Sequence, residues 1–169
     1  MWVEQERLPY QERNDDMSVT TPYRSKSEME FMNKALQMNV KLGTLVVKMP
    51  VKYKVIYGDD MAKTGLEAMR LLQTGNGIYL SKDTSEQAFN ERILMFSKAK
   101  GYIYNIPATY RMCVKIRIDV EKPNNEDREK WIKQSESLTS LCNECVELIG
   151  GVIKSDKKRY KEYKAKENK

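Results

Sequence analysis

The chain contains no histidine. The side chain that most often shuttles protons near neutrality is therefore missing, and with it the commonest metal-binding imidazole. Only 8 Gly and 5 Pro occur among 169 residues, which argues against a many-stranded β architecture and against global disorder. Three Cys are an odd number without framework spacing, which suits a reducing compartment rather than a disulfide scaffold. No apolar run exceeds a few residues, so no membrane span is expected. The first twenty residues carry charge throughout, unlike a secretory leader. A soluble cytoplasmic protein is the expectation.

What is present is charge and helical periodicity. The length favours one domain with room for a proper core. Apolar residues make up 40% and charged residues 32%, with a net charge of +6. The excess is uneven. Residues 1–24 hold three Arg against five acids, or −2. Residues 95–120 hold five Lys/Arg against Asp119, or +4, and residues 150–169 hold eight against three acids, or +5. Clusters of one sign draw polyanions; the plainer reading is a solvated surface with a frayed basic tail.

Four amphipathic segments follow one another. Residues 1–24 are polar and acidic with no period, and read as an irregular tail. Ser25/Glu28 and Ser27/Glu30 have capping-box spacing. Phe31, Ala35, Met38, Leu42, Leu45 and Met49 then recur at steps of four and three, a helical stripe that Pro50 ends. Residues 51–57 alternate like a strand but have no partner strand nearby, and read as a connection. Gly58-Asp59-Asp60 opens a second helix, an aspartate capping its free N–H groups. Ala62, Gly65, Leu66, Met69 and Leu72 form its buried face, and it stops around Tyr79. Thr84 or Ser85 caps a third helix whose stripe includes Phe89, Phe96, Ile103, Ile106, Tyr110 and Cys113. Gly101 and Pro107 interrupt it, and Pro107 should kink it. Residues 121–125 form a loop, with Asn125 capping a fourth helix. There Trp131, Leu138, Cys145 and Val152 lie seven apart, and neighbours widen the stripe to a core-facing band. Past Gly150-Gly151 the pattern decays into a Lys-rich segment that extends the helix or frays. The expected fold is an all-α, antiparallel up-down four-helix bundle over residues 25–155, with a basic extension at 156–169.

Two short motifs invite a chemical reading. Tyr57-Gly58-Asp59-Asp60 matches the Tyr-X-Asp-Asp box of reverse transcriptases, whose aspartates hold catalytic metal on a β-hairpin. The chain lacks the strands and length for that palm, so helix capping is the better reading. Cys142-Asn143-Glu144-Cys145 has too few companion ligands for zinc and falls mid-helix on the apolar stripe, as small core residues do. No catalytic triad or phosphate-binding loop is present, and no metal or cofactor is expected.

The basic residues carry more. Lys98, Lys100, Lys115 and Arg117 belong to the third helix with Tyr102, Tyr104 and Tyr110 nearby. Lys157, Lys158, Arg159 and Lys161 cluster in the C-terminal extension. Such cations bind phosphates, and exposed Tyr stacks on bases.

Four segments carry a family resemblance: Lys52-Tyr53-Lys54-Val55-Ile56-Tyr57-Gly58-Asp59; Gly65-Leu66-Glu67-Ala68-Met69-Arg70-Leu71-Leu72 with Asn76 and Asp83; Tyr110-Arg111-Met112-Cys113-Val114; and Ile149-Gly150-Gly151-Val152-Ile153-Lys154-Ser155. In order and character they resemble the accessory variability determinants of diversity-generating retroelements. Those four-helix bundles are related to proteins encoded in intervening sequences of ribosomal RNA genes. The resemblance spans roughly residues 28–155. It implies a non-catalytic, RNA-binding homo-oligomer, a pentamer, that associates with a reverse transcriptase and its template RNA or cDNA. Mutagenic cDNA synthesis would then be carried out by the partner. It also implies nucleic-acid roles for Arg111 and Lys154. The alternatives are a stand-alone bundle that binds another protein, and a metal enzyme built on Asp59 and Asp60.

Overall fold

The computed structural model describes residues 26–167. The expected N-terminal tail and the capping pairs around Ser25 and Ser27 lie outside the side chains described. Among the described residues every regular element is helical. Helix α1 (Lys26–Val47) is followed by a short turn Val51–Tyr53 and a π-helical turn Lys54–Gly58, which run directly into α2 (Asp59–Gly77). Helices α3 (Glu86–Glu121) and α4 (Asn125–Glu167) complete the fold. Each long helix packs along the next, and α1 also packs along α4. No described helix is long and apolar enough to cross a membrane.

The α1 stripe is buried as its periodicity predicts, with Phe31, Ala35, Met38 and Leu42 at 1% exposure or less. Phe31 meets Phe96 of α3 edge to face, ring centroids 5.5 Å apart. The heptad row of α4, Trp131, Leu138, Cys145 and Val152, lines the same core. Ile103, Ile106 and Tyr110 add the α3 side.

The segment 51–57 is helical rather than the connection expected. Pro50, in extended conformation, accepts from the N–H groups of Tyr53 and Lys54 and so starts a helix. The N–H of Asp59 then bonds to the carbonyl of Lys54, five residues back, which is the extra residue of a π turn. That residue shifts the helical phase: Tyr53 and Gly58 are buried, while Val55 and Ile56 stand 66% and 63% exposed. Asp59 and Asp60 therefore cap nothing. Their backbone groups lie inside a running helix, and no side-chain cap bond forms there. The buried face of α2 also differs from the expected one. Met61, Gly65, Ala68, Leu72 and Gly75 point inward, and Leu66 is exposed.

Ser85 caps α3, its hydroxyl accepting from the N–H of Ala88 at 3.2 Å. Gly101 and Pro107 lie within α3, which runs through both without a break; Pro107 is buried. After α3, Lys122 adopts a left-handed conformation, its N–H bonding to the carbonyl of Ile118. The cap of α4 is Asn124 rather than Asn125: its side-chain oxygen accepts from the N–H of Asp127 at 2.8 Å. Helix α4 then continues past Gly150-Gly151 through the Lys-rich segment.

Two buried charges hold that extension in place. Arg92 of α3 donates from Nε to Asp156 of α4 at 2.7 Å. Its Nη1 donates to the carbonyls of Gly75 and Ile78 at 2.8 and 2.9 Å. The guanidinium thus ties down the end of α2, where the Gly75 carbonyl also accepts from the N–H of Ile78. Further along, Tyr160 stacks on Phe89 with ring centroids 4.0 Å apart.

Candidate nucleic-acid interface

Helical geometry sorts the basic residues. Lys100, Tyr104, Arg111 and Lys115 follow one another along α3 at helical spacings, on the side that meets α4. Lys100 lies against Gly150, its Nζ 3.6 Å from where a β-carbon would stand. Arg111 reaches Thr139 of α4 at 3.5 Å. From Gly150 the α4 face continues through Lys154, Lys157 and Lys161, all exposed, with Lys158 beside them. Tyr104 is 68% exposed within this row. The seam between α3 and α4 therefore carries cations at both ends and an accessible aromatic ring between them.

Toward the α3–α4 turn the seam opens into a cleft of about 620 Å³. Arg111, Lys115 and Arg128 line it with the apolar side chains Val114, Ile118 and Ile132. Ser135, Thr139, Asp119 and Glu136 complete the lining. Sequence reasoning missed Arg128 and the two hydroxyl residues. Nothing local marks them, and they join the site only because α4 packs against α3.

Other expected contact residues are placed elsewhere. Lys98 stands about 200° around the helix from Lys100 and faces away from the seam. Arg117 is engaged inside the fold. It lies over the Trp131 ring, 3.6 Å from its centroid, and pairs with Glu121 at 3.0 Å. Burial pushes the Glu121 carboxyl up, but hydrogen bonds from Arg117 and Lys52 outweigh it and hold it below the usual range. Arg159 turns toward the buried Asp156, at 3.9 Å. Of the three tyrosines, Tyr110 is buried, and burial pushes its hydroxyl up to about 12. Charge on the opposite seam is compensated, with Lys34 of α1 paired to Glu144 of α4 at 2.8 Å.

The remaining motifs are disposed differently. Asp59 and Asp60 are exposed and consecutive on a helix, so their carboxylates diverge. Among the described residues, no group of three or more Cys, Asp or Glu gathers as a metal site would require. Cys113, Cys142 and Cys145 are free and buried. Burial pushes the thiols of Cys142 and Cys145 up to about 12, so they stay protonated at neutral pH.

No protein-family model, curated protein or solved structure matches the chain.

Proposed function

We propose that this chain is a non-catalytic accessory protein that binds single-stranded nucleic acid along its α3–α4 seam. In keeping with the resemblance to the retroelement accessory proteins, the nucleic acid is the template RNA or cDNA of a partner reverse transcriptase. The observation that carries the reading is the row Lys100, Arg111, Lys115, Lys154, Lys157 and Lys161, which forms no salt bridge among the described residues. Unpaired cations along a groove, with Tyr104 exposed among them, are the electrostatic track and stacking platform that single strands use.

The helices are read as an antiparallel up-down bundle. Paired contacts support this: Leu42 lies against Gly65 and Val46 against Gly58, and Phe96 lies against Gly75 while Asn105 shares a cleft with Thr64. Along the α3–α4 pair, rising α3 numbers meet falling α4 numbers, from Arg92–Asp156 to Tyr110–Gln134. A homo-oligomer, pentameric by the resemblance, fits α1. Leu36, Val40 and Val47 stand 53%, 61% and 73% exposed on one outer stripe, with Gly43 between them. Three reduced, buried thiols fit a cytoplasmic setting.

The same apolar stripe favours a second reading, a bundle that docks another protein and has no nucleic-acid role. Fluorescence anisotropy with labelled single-stranded RNA, with mass from light scattering in the same buffer, separates the two. The first reading expects binding that weakens in Arg111→Ala and Lys154→Ala. A protein that binds no RNA at low salt supports the second.

A further inference from the structure

The cleft at the α3–α4 turn differs from the rest of the seam. Three cations line it, together with the carboxylates of Asp119 and Glu136. A polyphosphate backbone running the length of the cleft would pass both acids. A single phosphate is suited to it, held by Arg111, Lys115 and Arg128. Val114, Ile118 and Ile132 then offer an apolar wall for a flat ring. The volume, about 620 Å³, falls within the ~300–1,000 Å³ of small-molecule pockets, which pair apolar walls with a few placed polar groups.

We propose that the α3–α4 cleft is a pocket for one nucleoside monophosphate unit, taken either as a free mononucleotide or as an unpaired nucleotide of a bound strand. Arg111, Lys115 and Arg128 hold its phosphate, and Ile132 covers a face of the base. This rests on the reading of the seam as a nucleic-acid surface, and it adds a discrete site to that surface.

The test is calorimetric titration of the full chain with AMP, with inorganic phosphate, and with a short single-stranded RNA. AMP should bind saturably, one per chain, and about tenfold or more tighter than inorganic phosphate. Ile132→Trp fills the cleft from a partly exposed position and should cost AMP about tenfold with melting unchanged. An RNA complex that persists while AMP does not bind would overturn the pocket and leave the seam intact. Phosphate binding as tightly as AMP would reduce it to an anion site and overturn the base contact. Failure of both RNA and AMP would overturn the pocket and the reading beneath it.

Discussion

Among the described residues, Arg92 and Asp156 are the charged side chains that the fold takes out of water, at 3% and 1% exposure. Removing one partner of such a pair leaves the other buried and uncompensated, which typically costs ~3–5 kcal/mol. Asp156→Ala should therefore lower the unfolding free energy by about that amount in urea titration. The double variant Arg92→Met with Asp156→Leu should lose clearly less. A single-variant loss below ~1 kcal/mol, the scale of an exposed pair, would contradict this assignment. The pair spans 64 positions, and nothing in the local pattern around either residue announces it. The thiols were more legible, because their heptad spacing alone marks them as core. Their raised values carry a linkage consequence. An unfolded thiol ionises near 9.0, whereas Cys142 and Cys145 hold their protons to about 12. Above the unfolded value the unfolded state binds fewer protons than the native state, so stability falls as pH rises. The contribution is fully present below pH 9 and is lost between about 9 and 12. Thiol labelling at pH 8 should accordingly be slow in the native protein and fast in urea; equally fast labelling would show that the thiols are not buried.

The helices themselves follow from periodicity, caps and proline, and the α1 and α4 stripes are buried where the steps of three, four and seven place them. Where the pattern failed, the cause is the π turn at Lys54–Gly58. One extra residue makes a helical stretch look alternating, and within α2 the inward face is that of Met61 and Ala68 rather than Leu66. Which face of α2 turns inward depends on how closely the helix approaches its neighbours, which a local pattern does not record. Glycines report the approach. A β-carbon at Gly75 would stand 2.8 Å from the Phe96 ring, and one at Gly65 would stand 2.9 Å from Leu42. Gly151 has nothing within 4 Å. Alanine is favoured over glycine in a helix by ~1 kcal/mol, but overpacking costs ~1–3 kcal/mol. Gly75→Ala and Gly65→Ala should thus be neutral to destabilising by up to ~2 kcal/mol, and Gly151→Ala stabilising by ~0.5–1 kcal/mol. Thermal unfolding of the three variants checks the opposite signs; stabilisation by Gly75→Ala would mean the helices sit farther apart.

At the scale of the whole molecule, the sequence shows that the chain is basic in two stretches but not that they meet. Lys100 and Lys157 belong to one surface because α4 packs along α3 and keeps its helix through Glu167. Arg117 and Arg159, equal to the others in sequence, are drawn toward Glu121 and Asp156 instead. Half of the interface was therefore legible as charge, and the rest required knowing which faces abut. The central claim is that the assembled seam binds phosphates. Its most direct test is RNA affinity across a salt series, for the wild type and for Lys154→Gln, Lys157→Gln and Lys161→Gln combined. Each phosphate contact to a single strand contributes about −0.7 to the slope of log K against log salt. A seam using all three lysines predicts a steep wild-type slope that becomes shallower by about 2 in the triple variant. Equal slopes, or RNA binding indifferent to salt, would contradict it.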